Sequence, residues 1–189
     1  MGTLPMRRWT RRQYEKIAEA GVFTPEDRVE LIDGAIVEVT PQGCEHATAI
    51  CLLHDALRNA LGDRYLIRAQ LPFALDLYSA PEPDIAVVEG SARDYRSEHP
   101  SSALLLIEVS DASLAYDREM KGRLYARAGI PEYWIVNLLD RCVEVYRCPG
   151  TGELALGWIY RDVHRYKMGE AIPLLSVSAS TIAVSQIMP

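Results

Sequence analysis

The run Ala103-Leu104-Leu105-Leu106-Ile107-Glu108-Val109 is apolar at every position but one. Apolar side chains on both faces mark a central strand covered by a packing layer on each side, and so a layered α/β fold rather than a half-exposed sheet. The exception constrains the chain most. A buried carboxylate is costly unless a cation, a proton or a metal ion meets it, so Glu108 needs a partner. A second acid has an equally fixed location: Asp84 opens the apolar run Ile85-Ala86-Val87-Val88 directly after Pro81-Glu82-Pro83, whose prolines stiffen the approach and keep it out of helix.

Around these two strands the pattern supplies a mixed set of elements. Thr10 reads as the N-cap of a short helix that places Tyr14 and Ile17 on one face and exits at Gly21. Val29 to Ile32 and Ala35 to Val39 flank Asp33-Gly34, a dipeptide suited to a tight type I′ hairpin turn, which puts Glu30 and Glu38 on an early hairpin. Helical spacing runs from about His46 to Leu61, ended by Gly62, and strands are expected at Arg64 to Gln70, Pro72 to Leu77 and Pro83 to Val88. A second helix is expected from about Leu114 to Ala128, closed by Gly129 and Pro131. Strands follow at Tyr133 to Asn137, Val143 to Arg147, Gly157 to Tyr160 and near Ala171 to Leu175, with Pro149-Gly150-Thr151-Gly152 as a turn. This order predicts an α/β fold with a mixed central sheet flanked by helices, preceded by a helix and a hairpin. At 189 residues, residues 1–189 read as one domain.

The formal charge of −6 excludes a protein coated in basic surface, the usual source of non-specific duplex affinity. Positive charge concentrates at Arg7, Arg8, Arg11, Arg12 and Lys16, which read first as a solvated helix face. No apolar run reaches the ~20 residues of a membrane span and the N-terminus lacks a signal peptide's apolar core, so a cytoplasmic protein is expected. Cysteines 44, 51, 142 and 148 form no C-x-x-C and read as reduced, mostly buried thiols.

Lys121 lies four residues after Asp117 on the expected second helix, which carries it over the sheet edge near Glu108. Two acids and an ammonium suit phosphodiester hydrolysis. The acids hold Mg²⁺ through oxygen, the metal polarises phosphate and acidifies a bound water, and the ammonium stabilises developing charge. Plainer readings stand beside this one. Asp84 can cap a turn, Glu108 can pair with Arg123 or Arg127, and Asp117 with Lys121 can be an exposed helical ion pair. His46 can cap its helix or approach phosphate. Tyr125 can pack the helix on the sheet or bound the cleft, and Tyr133 and Trp134 read as core.

Pro83-Asp84, Ile107-Glu108-Val109-Ser110, Asp117, Lys121, Tyr125 and Gly129-Ile130-Pro131-Glu132-Tyr133-Trp134-Ile135-Val136 together resemble the Uma-type restriction endonuclease family of the PD-(D/E)XK nuclease superfamily. Glu30-Leu31-Ile32-Asp33-Gly34 and His46 match its N-terminal portion, so the resemblance covers nearly the whole chain. It implies a restriction-endonuclease-like fold, Mg²⁺- or Mn²⁺-dependent cleavage of DNA, and a homodimer. Asp84 and Glu108 would be catalytic metal ligands, with the backbone carbonyl of Val109 as a third. Glu30 matches an early acidic position, either near the metal or a hairpin-edge charge. The chain departs from the superfamily at Ser110, where the lysine two residues after the glutamate is expected; Lys121 is its relocated equivalent in the family resembled. An inactive, nuclease-like binding or regulatory module is the alternative, and a sugar or nucleotide phosphodiesterase a third.

Overall fold

The computed structural model describes residues 6–24, 26–39, 41–152, 157–176 and 180–189. Thr10 caps α1 (Arg11–Glu19) in a reciprocal box with Gln13, and Tyr14 ties the helix down by donating its hydroxyl to the Val29 carbonyl at 2.8 Å. β1 (Val29–Ile32) and β2 (Ala35–Glu38) form the expected hairpin, with φ of 50° at Asp33 and 82° at Gly34. A Cβ at Gly34 would lie 2.7 Å from that of Arg8, so the turn needs glycine for space as well as for conformation. An isolated bridge from Leu31 to Ala80 joins the hairpin to the body of the fold.

The body is a six-stranded sheet in the order β3 (Tyr65–Ala69), β4 (Ile85–Glu89), β5 (Leu105–Ser110), β6 (Glu132–Asn137), β7 (Cys142–Thr151) and β8 (Trp158–Lys167). All neighbours are antiparallel except β5 and β6. A parallel pair requires a crossover, and the chain supplies it as α3 (Leu114–Tyr116), a π-helical turn (Asp117–Lys121) and α4 (Gly122–Arg127). Alternation along the strands divides the core. Ile85, Val87, Leu105, Ile107, Val109, Trp134 and Val136 pack beneath α2 (Cys44–Leu61) and the C-terminal α5 (Val184–Ile187), beside the short pair β9 (Ala171–Pro173) and β10 (Thr181–Ala183). Ala86, Val88, Leu106, Tyr133 and Ile135 pack on the other face against Leu124, Tyr125 and Phe73. Glu108 falls on this second face, one step beyond Leu106 in the same alternation.

Five expectations are corrected. The helix after β5 is not uninterrupted: the amide of Gly122 reaches back five residues to the Asp117 carbonyl, which also accepts from the Tyr133 hydroxyl at 3.2 Å. Pro72 to Leu77 is no strand. Its amides bond to scattered acceptors, Phe73 to Pro81 and Ala74 to Pro100, and its apolar pattern reflects burial of Phe73 and Leu75 under loops. Pro149-Gly150-Thr151 continues β7, and the reversal comes later, where the Gly152 amide bonds to the Gly157 carbonyl. β8 is accordingly longer than expected, because its many charges masked the strand pattern of an exposed edge. The cysteines are free as expected, but Cys44, Cys51 and Cys148 are exposed and only Cys142 is buried. No helix among the described residues is long and apolar enough to cross a membrane.

Glu144 on β7 anchors the crossover. It accepts from Arg118, Arg165, Asn137 and the Tyr146 hydroxyl. Burial pushes its carboxyl up, but these hydrogen bonds outweigh burial and hold it at about 2. Because this folded value lies below the unfolded one, the stabilisation is complete above about 4.5 and fades as pH falls toward 2. Glu144→Gln should therefore lower unfolding free energy by about 1–3 kcal/mol in urea titrations near neutrality. The gap between variant and wild type should narrow at about pH 3.

Candidate active site

The register that pairs Ile85 with Ile107 places Asp84, one residue earlier, opposite Glu108, one residue later, on the same face. The amide of Val109 donates to Asp84 Oδ2 at 2.8 Å, locking the two strand ends together. The Nε2 of His46, from the first turn of α2, lies 3.1 Å from the same oxygen, and Gln42 and Gln70 donate to Oδ1 at 3.4 and 3.2 Å. Burial pulls the His46 imidazolium down, but the hydrogen bond and charge of Asp84 more than compensate, with a further upward contribution from the Val109 carbonyl.

Glu108 is the buried acid with a partner. Lys121 Nζ donates to its Oε1 at 3.0 Å and the Tyr125 hydroxyl to the same oxygen at 2.6 Å. Lys121 also lies 3.4 Å from Glu30. Burial alone pushes Lys121 down, yet Glu108, Glu30 and Asp117 together drive it well above its ordinary value, so it is an ammonium at any ordinary pH. Glu108 is driven well above the carboxylate range, first by burial and then by Asp84, Asp117 and Glu30, with Lys121 opposing. One ammonium does not fully offset this group of acids.

The geometry excludes the exposed-pair and arginine readings, while Tyr125 does pack the helix on the sheet, fully buried beside Leu124 and Tyr133. Asp117 and Lys121 are both buried, not an exposed pair: Asp117 Oδ2 accepts from Ser110 at 2.7 Å and Ser113 at 2.6 Å, while Lys121 turns to Glu108. Ser110, which stands where the superfamily has lysine, thus holds Asp117. Arg127 pairs with Asp33 and Asp76, leaving Glu108 to Lys121. Glu30, His46, Asp84, Glu108, Val109, Asp117 and Lys121 all line one cavity of about 510 Å³, with Tyr125 directly behind Glu108.

Sequence reasoning missed several members. Gln70 holds a left-handed φ of 52° at the end of β3, with its amide on the Pro83 and Asp84 carbonyls, and this strained conformation aims its side chain at Asp84. Glu82, between the two prolines, faces the cavity; burial and then Glu30 raise its carboxyl. The stiff Pro-Glu-Pro signalled a fixed backbone and so could have flagged Glu82 as well as Asp84. Gln42 carried no comparable signal.

The donor set fits a hard divalent cation. The carboxylates of Glu30, Glu82, Asp84 and Glu108 line one cavity with Val109, and Glu108 Oε2 takes no hydrogen bond among the described residues, both donors lying on Oε1. Asp140, Cys142 and Glu144 also bring ligand atoms within 4.8 Å of one another. Their carboxylates are already met by Arg118 and Arg165, so that cluster is an ion-pair network and offers a cation little.

In EDTA, Glu108→Gln should leave thermal stability unchanged or raise it, because like-charge repulsion and the cost of burying a carboxylate both fall. Lys121→Met, which strands Glu108 and Glu30, should cost about 3–5 kcal/mol in urea unfolding. Equal losses in both variants would mean that Glu108 serves mainly as a structural partner.

The chain is similar to a crystal structure from Anabaena variabilis ATCC 29413 described as a "putative nuclease belonging to DUF820", with a TM-score of 0.69 and 16% identity over 94% of this chain and 96% of that one. At that identity the likeness speaks to the fold alone, a mixed sheet flanked by helices. It also overlaps the type IIG restriction endonuclease BpuSI, with a TM-score of 0.38 and 15% identity over 62% of this chain and 13% of that one, a likeness too slight to carry weight. No curated protein matches the chain. The model of the Uma2 family, described as "Putative restriction endonuclease", matches residues 11–182, from the first helix to β10 and through every site residue named above, and the chain belongs to that family.

Proposed function

We propose that the protein is a metal-dependent endonuclease that hydrolyses DNA phosphodiester bonds, acting as one restriction-endonuclease-like domain over residues 1–189 in the cytoplasm. The observation that carries this reading is the convergence on Glu108: a carboxylate buried in a central strand, with Asp84 opposite, one oxygen held by Lys121 and Tyr125, and the other left open. Asp84, Glu108 and the Val109 carbonyl would hold Mg²⁺ or Mn²⁺. When bound, that ion supplies Lewis-acid polarisation of the scissile phosphate and a water of lowered pKa.

The protein's own residues then divide the remaining work. Asp84 is oriented by the Val109 amide, His46, Gln42 and Gln70, so its carboxylate reaches the cavity without loss of rotamer freedom at the moment of binding. Lys121, favoured as an ammonium by Glu108, Glu30 and Asp117, is placed for an electrostatic role, offsetting charge at Glu108 and at the phosphate as negative charge grows. Tyr125 fixes the Glu108 carboxylate from behind. Asp117 lies within this field and is itself held by Ser110 and Ser113. Glu30 shares Lys121 with Glu108 and so sets where the ammonium sits. A homodimer is carried over from the resemblance, since many members of the PD-(D/E)XK superfamily work as dimers.

A second reading, a nuclease-like module that binds without cutting, is favoured by Ser110 at the usual lysine position. Purified protein with Mg²⁺ or Mn²⁺ decides between them. The nuclease reading expects nicking or cleavage of DNA, with Asp84→Ala and Glu108→Ala each reducing it by about 10³-fold or more. Cleavage that survives both substitutions would remove the assignment, and metal binding without turnover on any nucleic acid would favour the binding module.

A further inference from the structure

The cavity that holds the carboxylate pair is also lined by Tyr14, Phe23, Val29, Val37, Val39 and Tyr116, contributed by α1, the segment after it, the hairpin and α3. Phe23, Tyr116, Val29 and Val39 belong to neither apolar core of the fold, and all four are only half-buried. Phe23 leans on Tyr14 with ring centroids 5.7 Å apart, and Tyr14 is itself pinned through its hydroxyl to Val29, so the Phe23 ring is backed by a fixed neighbour. Apolar surface of this kind beside a polar catalytic pair is what orients a ligand in a small-molecule pocket, and about 510 Å³ lies within the ~300–1,000 Å³ of such pockets.

The charge of the lining limits how a nucleic-acid backbone can run through the cavity, and its rings offer a face to a base. Among the described residues, eight acids line the cavity, against Arg28 and Lys121 as permanent cations, and Lys121 is already taken by Glu108 and Glu30. None of the N-terminal basic residues Arg7, Arg8, Arg11, Arg12 and Lys16 is among the cavity's described lining residues. A duplex binds through a row of cations along its two phosphate backbones, and this lining supplies no such row. A single strand carries phosphates too, so charge alone does not separate the two forms; stacking does, because a base within a duplex is covered on both faces and an unpaired base is not.

We infer that Phe23 and Tyr116 form a stacking subsite for a nucleobase beside Asp84 and Glu108, so that the strand entering this site is unpaired DNA. The inference rests on the nuclease reading and narrows its substrate. A single strand, a frayed end or a base extruded from its stack can place one nucleotide in the cavity with its phosphate at the carboxylates. An intact duplex offers these rings no free base face. Tyr116 sits immediately before the Asp117–Lys121 π turn, so its ring is carried by the same stretch of chain that delivers Lys121 to Glu108.

The test compares one fluorescently labelled oligodeoxynucleotide, single-stranded or annealed to its complement, by anisotropy in Ca²⁺ and by cleavage in Mg²⁺ or Mn²⁺. The single strand should bind more tightly and be cut faster. Phe23→Ala and Tyr116→Ala should each weaken single-strand binding about fivefold or more, while Tyr116→Phe, which keeps the ring, should bind like wild type. Circular dichroism melts confirm that each variant is folded. Equal binding and cutting of both forms would overturn the subsite while sustaining the nuclease. Ring-dependent binding of the single strand with no cleavage would sustain the subsite and sink the nuclease. Absence of single-strand binding, or binding indifferent to both alanine variants, overturns the inference.

Discussion

The structure turns on an ammonium set among acids. Lys121 reaches Glu108 and Glu30 in the interior, and without it the central strand would carry an uncompensated charge. Much of the surrounding architecture serves this contact. The parallel pairing of β5 and β6 requires a crossover, and the crossover passes over the face on which Glu108 lies. The π turn within it adds a residue just where Asp117 is gripped by Ser110 and Ser113 and where Arg118 is anchored to Glu144. π turns recur at functional sites because the inserted residue re-aims side chains that a regular helix would point elsewhere. Here Asp117 and Lys121 both face inward while Met120 between them stays exposed.

Buried acids in this fold are of two kinds. Glu132 and Glu144 are fully occupied: Glu132 accepts from the Trp134 indole, Arg147 and the Leu175 amide, and Glu144 from two arginines, an asparagine and a tyrosine. These stabilise the sheet and its neighbours. Asp84 is also well met, by Val109, His46, Gln42 and Gln70, whereas Glu108 stands close to other acids, lines a cavity and has an oxygen with no hydrogen bond among the described residues. A fold that tolerates the second kind sacrifices stability where it gains a site, a familiar relation between stability and function. The geometric cluster of Asp140, Cys142 and Glu144 shows that proximity of ligand atoms is a weaker guide than unmet charge.

Asp84 and Glu108 were legible because each broke a strong local pattern: one stood at the mouth of a strand behind two prolines, the other inside an apolar strand. The hairpin was legible through Asp33-Gly34 and α1 through Thr10, since turn and cap chemistry is local. What met Glu108 was not. Arg123, Arg127 and Lys121 all sat within reach along the chain, and only packing chose among them. The π turn left no mark, because its cause lies in Ser110 and Tyr133 on neighbouring strands. Pro72 to Leu77 imitated a strand because burial under loops also yields apolar runs, and β8 hid because an edge strand is charged. Gln42 and Gln70 were invisible for a related reason: side chains that orient another residue carry no pattern of their own.

The central claim is that the carboxylate pair, and not another acidic group, is the metal centre. An anomalous difference map from crystals soaked in Mn²⁺ tests it most directly. The account predicts a peak at about 2.0–2.2 Å from carboxylate oxygens of both Asp84 and Glu108. A peak at Asp140, Cys142 and Glu144 with none at Asp84 and Glu108 would contradict it.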